Sequence, residues 1–307
     1  MGTLAALMLP RAALAEADLE EPTLPAELHA GEQAPAIEAL WIEGVAYEHR
    51  EDLLESSRLY EAIAGMLPES AFIRWRISRN YWRCAERLPP DDKSARIHYF
   101  QLADEWATRA LELDPNCGEC ILWKLASMGR LATTSGVIEA MHLASTIADM
   151  IDRGIALKPA HRDGRSNVTL ANLYYAGAAF YRIVPDHFWA QWTIGVRGDK
   201  QRSLEYIRKA VAISEPRVDY QVELGAVLLC IGQERRDPER IEEGRRALQV
   251  AMALPYFQRT DPIDIEHARA LMADPRRACS YSRDGWVEAG ASRQSWTTAN
   301  GGSQGLR

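Results

Sequence analysis

Cys117-Gly118-Glu119-Cys120 holds the two side chains in this sequence best spaced to do chemistry together. A thiol pair at this spacing near a helix N-terminus can exchange electrons, because the helix dipole favours the thiolate. The same pair can supply half of a zinc site, but no second Cys-x-x-Cys and no His-x-x-x-His follows to complete four ligands. In an exported chain the pair reads as a local disulfide stapling a turn. Cys117 and Cys120 therefore stand as a candidate disulfide, metal or thiol-redox pair. Cys84, Cys230 and Cys279 are scattered, and nothing in the chain reads as the strand-helix-strand setting of a thioredoxin.

Two other strings resemble known motifs and fail on spacing. His161-Arg162-Asp163 is followed by three residues before Asn167, one short of a kinase catalytic loop, and no phosphate loop or Asp-Phe-Gly accompanies it. These residues read as a polar inter-repeat turn, with Ser166 or Asn167 capping a helix from about Val168. Arg197-Gly198-Asp199 is too short to specify adhesion, and its Asp199 sits where a helix favours an acidic start. Aromatic density is the third signal. Tyr174, Tyr175, Phe180, Tyr181, Phe188, Trp189 and Trp192 fall close together, and Tyr and Trp combine apolar area with a polar handle. Tyr174, Tyr175, Tyr181, Phe188, Trp189 and Trp192 are the candidate partner- or ligand-binding residues. The competing reading is an insert that folds back and packs on the rest of the chain.

The elements that must position these groups are set by a repeat. Helical stretches end in short stops carrying proline at Pro68, Pro115, Pro159 and Pro216, with a weaker fifth at Pro255. Proline has no amide donor and a fixed φ, so it closes one helix and suits the start of the next. The pairs Ile77-Ser78, Leu125-Ala126 and Leu173-Tyr174 are spaced by 48 residues, and Leu224-Gly225 comes 51 later. In the helix from Ala95 to Leu113, Ile97, Phe100, Ala103, Ala107 and Ala110 form one apolar stripe. Tyr99, Leu102, Trp106 and Leu113 form another, so this helix must be covered on two sides. The fold expected is all-α, a tetratricopeptide-like helical-hairpin solenoid of about 10–12 helices with units longer than standard. The widest gap between stops, from Pro159 to Pro216, contains the aromatic cluster.

Composition excludes several classes. The chain has 307 residues, 47% of them hydrophobic, and 43 acidic against 36 basic residues give a net charge of −7. That balance argues against nucleic acid as the main partner. No stretch approaches the roughly 18 to 20 apolar residues of a membrane span. Residues 1–15 combine a short apolar run with Ala13-Leu14-Ala15, which reads as the end of a secretory signal. No Lys or Arg precedes that run, which is explained if translation starts upstream. Residues 16–37 read as a solvated linker, 38–273 as the helical-repeat domain, and 274–307, rich in Gly, Ser, Arg and Ala, as a disordered tail.

From about Leu53 to Met272 the order of Arg58-Leu59-Tyr60, Trp75-Arg76-Ile77-Ser78-Arg79, Leu111-Glu112-Leu113-Asp114-Pro115 and Leu170-Ala171-Asn172-Leu173-Tyr174-Tyr175 resembles the regulator-of-microtubule-dynamics group and its bacterial relatives. Those relatives include the T-components associated with tripartite periplasmic (TRAP) transporters. The resemblance implies an all-helical scaffold without catalytic activity or cofactor. It also implies an exported accessory that binds a transporter component or a small apolar ligand and forms a homo-oligomer. No cysteine follows Ala13-Leu14-Ala15, so a lipid anchor is unsupported. The alternatives are a cytoplasmic tetratricopeptide adaptor unrelated to transport, and a metal or thiol-redox protein using Cys117 and Cys120.

Overall fold

Each proline stop separates two helices. The protein was analysed as a computed structural model that describes residues 33–283 apart from 90, 136, 164–166, 257 and 259. Among the described residues there are twelve α-helices. The first six are α1 (Ala34–His49), α2 (Leu53–Met66), α3 (Ala71–Arg87), α4 (Lys93–Leu113), α5 (Gly118–Ser135) and α6 (Val137–Ala156). The others are α7 (Thr169–Ile183), α8 (Phe188–Ile194), α9 (Lys200–Ile213), α10 (Val218–Arg235), α11 (Pro238–Ala253) and α12 (Asp261–Ala273). The signal-like segment 1–15 and nearly all of the expected linker lie outside the described residues. Helical structure begins at Ala34, four residues before the expected boundary.

Short side chains start several of these helices by taking a backbone N–H left without a helical partner. Ser70 accepts from the amide of Ile73, Asp92 from that of Ala95, and Asp199 from that of Arg202. Asp199 is thus a helix cap, as its acidic character predicts. The turn before α7 differs from expectation. Arg162–Asp163 pairs antiparallel with Asn167–Val168, and α7 starts at Thr169 with Val168 at the cap position. Asn167 pairs in the small β-bridge rather than capping the helix, and Ser166 lies outside the described residues.

The helices pack in chain order as antiparallel pairs, α3 with α4, α5 with α6, α7 with α9 and α10 with α11. The first helices, α3, α5, α7, α10 and α12, lie side by side in one row. The residues spaced by 48 sit in the middle of α3, α5 and α7, and those 51 later in α10, which is why the register recurs. Phe100, Ala103, Ala107 and Ala110 of α4 are fully buried, while Tyr99, Leu102, Trp106 and Leu113 on the other stripe are half-covered. Small residues let the pairs approach closely. Ser78 donates to the carbonyl of Ala103 at 2.7 Å, and Ser203 to that of Ala178 at 2.7 Å, each across a helix pair. The long gap between Pro159 and Pro216 is filled by the bridge and by α8, an extra helix between α7 and its partner α9.

The C-terminal boundary needs correction. Residues 275–277 form a 3₁₀ turn, Ala278 and Tyr281 are buried, and Cys279 is disulfide-bonded to Cys230 of α10. The pattern of hydrophobic periodicity ends at Met272, but the chain stays packed on the fold through Arg283. This strap touches the row of first helices at both ends. The Arg283 guanidinium lies 2.7 Å from Asp264 of α12 and 3.4 Å from Glu86 of α3. One side chain can span the first and last members of a five-helix row only if the row curves strongly back on itself. The rest of the expected tail lies outside the described residues.

The two disulfides differ in what they constrain. Closing the loop between Cys230 and Cys279, 49 residues apart, removes chain entropy worth about 4 kcal/mol, against about 2 kcal/mol for the separation of three between Cys117 and Cys120. Replacing Cys230 and Cys279 together by Ala is therefore expected to lower the unfolding free energy by about 2–4 kcal/mol in urea titrations. The corresponding Cys117/Cys120 variant loses roughly half as much or less.

Candidate functional site

The six aromatic candidates do not share one surface. Tyr174, Tyr175 and Tyr181 are on α7, a regular helix of the row, and they pack inward. Tyr175 stacks on Tyr220 with ring centroids 5.1 Å apart, and Tyr174 meets the edge of Tyr206 at 5.4 Å. The Arg202 guanidinium covers the Tyr181 ring at 4.2 Å and donates to its hydroxyl at 2.7 Å. Burial pushes the Tyr181 hydroxyl up to about 12 and that of Tyr175 well above the ordinary range, so both stay protonated. Among the candidates whose side chains are described, strong outward display is confined to α8. There Phe188 is 75% exposed and Trp192 86% exposed, one helical turn apart, while Ala190 on the opposite side is buried. Trp189 belongs to the same helix, but its side chain lies outside the described residues. Gly195 ends α8 in the left-handed region, with φ of 75°, against Ser145 of α6.

Cys117 and Cys120 occupy a different place. Three inter-repeat turns, at Met66–Ser70, Asp114–Cys117 and Leu157–His161, meet along one edge and line an open cleft of about 850 Å³. Phe72, Trp75, Pro159 and His161 supply its apolar and aromatic walls, with His161 edge-on to Trp75 at 5.3 Å. Glu69, Asp114 and Glu119 supply three carboxylates, and no Lys or Arg lines it among the described residues. The two cysteines are joined in a disulfide. Cys117 is half-buried and lines the cleft, whereas Cys120 is fully buried beneath it. The amide of Cys120 donates to the Cys117 sulfur at 3.0 Å, at the start of the 18-residue α5. Gly118 is required here by packing, because a Cβ at that position would come within 2.5 Å of Pro159. Among the described residues, the one group spaced to hold a metal is Cys230, Glu234 and Cys279. Among the described residues no third ligand joins Cys117 and Cys120, and the two sulfurs of each cysteine pair are bonded to each other.

The interior of the helix row carries ionic residues that sequence reasoning missed. Glu48 of α1 accepts from Arg76 and Arg79 of α3 and from the Tyr60 hydroxyl of α2. Rings of Trp41, Tyr60, Phe72 and Trp75 surround the Arg76 guanidinium at 4.7–5.8 Å, so a fully buried cation is held by one carboxylate and four π faces. Burial alone would raise the Glu48 carboxyl, but Arg76, Arg79 and Arg83 override it and hold it far below the usual range. Glu86 behaves alike, with burial opposed by Arg130 and Arg283. Burial draws Arg130 down in turn, yet a guanidinium starts so high that it remains charged. Farther along, Arg182 is forked onto Glu223 at 2.7 and 2.8 Å and also donates to the strap carbonyls of Ala278 and Tyr281. Arg217 pairs with Asp219, and Asn172 accepts from both Arg217 and Tyr220. The available signal was arginine at Arg76, Arg79, Arg83 and Arg87, a helical stripe of cations on a helix that also carries Phe72, Ile73, Trp75 and Ile77.

A family model described as regulator of microtubule dynamics protein 1-3 matches residues 43–179. That stretch runs from within α1 to within α7. It contains the Glu48–Arg76–Arg79 cluster, the Cys117–Cys120 disulfide, and Tyr174 and Tyr175. The regulator-of-microtubule-dynamics match leaves out α8 to α12 and the strap, so it is narrower than the resemblance read from the sequence. No curated protein matches the chain. Among the described residues, no helix is long and apolar enough to cross a membrane.

Replacing Glu48 by Gln strands two buried guanidinium groups, so Glu48→Gln is expected to destabilise the fold by about 3–5 kcal/mol in chemical denaturation. A second expectation concerns acid. Burial, aided by Arg283 and Arg277, depresses His267 from its usual 6.5 to about 3. Its folded pKa lies below its unfolded one, so the unfolded chain takes up the proton first and stability falls as pH drops below about 6.5. Between pH 6.5 and 4.5 this precedes any loss from Glu48 and Glu86, whose depressed carboxyls lose their contribution only at lower pH. His267 should lower the unfolding free energy there by up to about 1.4 kcal/mol per pH unit, against the opposite contribution of Asp264, whose carboxyl burial raises, and His267→Gln should remove that fall.

Proposed function

We propose that this chain is a non-enzymatic helical-repeat scaffold that holds a protein partner through the outward face of α8. The observation carrying this reading is the exposure of Phe188 and Trp192 on a helix that interrupts the repeat. Large aromatics left in water at one helical turn's spacing are typical anchors of protein interfaces. The row of first helices, the surface such arrays commonly offer to partners, is crossed here by the chain's own strap. That favours an attachment point outside the row.

Export into an oxidising compartment is the companion reading, supported by the pairing of four of the five cysteines. A role beside a periplasmic transporter is supported by the sequence resemblance to the T-components. The regulation of microtubule dynamics in the matched family's description belongs to that family's named members.

The test is capture of partners from envelope extracts by the wild-type chain and by a Phe188→Ala/Trp192→Ala variant. Helicity by circular dichroism should match in the two proteins, while recovery of the main partner should drop by about tenfold, the scale of one or two anchor residues. Equal recovery removes α8 as the docking site.

A further inference from the structure

The cleft at the turn edge has a wall that can react. We propose that the Cys117–Cys120 disulfide is a thiol-disulfide exchange site, and that its preferred substrate is a polypeptide dithiol flanked by basic residues. This goes beyond the scaffold reading and does not depend on α8.

Four observations converge on it. The two sulfurs are unequally placed, Cys117 lining an open cleft of about 850 Å³ and Cys120 fully buried behind it, so an incoming thiolate meets one sulfur and leaves the other as the departing group. The Cys120 amide and the N-terminus of α5 face the Cys117 sulfur, an arrangement that stabilises negative charge developing there. The bond closes a loop with a separation of only three, between residues already fixed by the first turn of α5 and by the contact of Gly118 with Pro159. Cross-linking is the main task of Cys230–Cys279, whereas Cys117–Cys120 can open without releasing any element. The lining then sets the substrate class. Glu69, Asp114 and Glu119 are its charged side chains, and a Glu119 oxygen lies 3.9 Å from the Cys117 sulfur. Of the nearby cations, Arg74 and Arg153 are turned onto the turn carbonyls of Leu67, Ser70 and Pro115, and Arg74 also lies within electrostatic reach of Glu69. The exposed Lys158 and Arg162 adjoin lining residues without lining the cleft themselves. Three carboxylates attract a cationic thiol and repel an anionic one. They also oppose the thiolate at Cys117, so selectivity by charge is the property to measure rather than a lowered thiol pKa.

The exchange balances with a dithiol as reductant. A thiolate of the incoming chain bonds to the Cys117 sulfur as the Cys117–Cys120 bond breaks, and that electron pair leaves on Cys120, which takes up a proton. The second thiolate of the incoming chain attacks its own sulfur in the mixed disulfide and releases Cys117. The incoming dithiol has lost two electrons to form a disulfide, and the cysteine pair has gained them. Each chain undergoes one such exchange until it is reoxidised.

The experiment uses the full chain in the oxidised form, exposed to excess cysteamine or 3-mercaptopropionate, small thiols of opposite charge. Each cysteine is followed by alkylation and mass spectrometry, and rates are normalised for the thiolate fraction. Cys117–Cys120 should open while Cys230–Cys279 stays closed and helicity is unchanged. Cysteamine should be faster by about tenfold at low salt, and this preference should shrink at high salt and in a Glu119→Gln variant. With cystamine as the probe, Cys120→Ser should form a mixed disulfide at Cys117 about tenfold faster than Cys117→Ser forms one at the buried Cys120. Opening of both disulfides at the same rate, or only on unfolding, overturns the exchange site. Equal rates for the two thiols overturn the basic substrate class.

Discussion

Charge pairs between arginine and carboxylate, buried along the inner side of the helix row, are the constraint on which the remaining architecture rests. A stack of helix pairs could be assembled from apolar contacts alone, but such contacts are non-directional and leave the angle between pairs loosely set. Forked or multiply bonded guanidinium groups fix direction. Glu48 ties α1 to α3, Glu223 ties α10 to α7, and Glu86 with Asp264 brings the two ends of the row onto one guanidinium. Burying these ions is costly, and the cost is offset only while every partner is present. The curvature is therefore specified by directional contacts, not by a gradual tightening of hydrophobic packing.

The fold class was legible because helix ends and helix spacing are local. Proline at the stops, alanine at Ala103, Ala107 and Ala110, and the 48-residue register all report on short stretches of chain, and α3, α5 and α7 fall where they indicate. What the sequence concealed depends on distance. Cys230 and Cys279 are 49 residues apart, and nothing in their neighbourhoods marks them as partners. Arg283 follows the last apolar period, in a stretch whose composition resembles a solvated tail, yet its partners are Asp264 and Glu86, the latter 197 residues away. Burial of that segment follows from the curvature of the whole row, which no window of residues encodes.

The aromatic cluster shows the same limit from the other side. Density along the chain grouped Tyr174, Tyr175 and Tyr181 with Phe188 and Trp192, but helical geometry divides them. Tyrosines of α7 meet Tyr206 of their own pair and Tyr220 of the following one, Tyr181 buried and Tyr174 and Tyr175 half-buried, whereas the short α8 turns one face outward. The cysteine pair was found directly, since its spacing is its signal. Its setting, a cleft formed where three turns converge, required the stacked repeat to be in place.

The bond between Cys279 and Cys230 also changes how the molecule carries a load. In an open array the terminal unit has a single neighbour and is the first to peel away when the chain is pulled or frays. Here tension applied from the C-terminal side passes through a covalent link into α10, bypassing α11 and α12, which sit inside the closed loop like a slack segment beside a taut cord. The opposite end has no such link among its described residues. There α1 is held by Glu48 and by Ile37, Trp41 and Val45 packed against α2 and α3, contacts that can peel one by one, so forced unravelling would begin at α1.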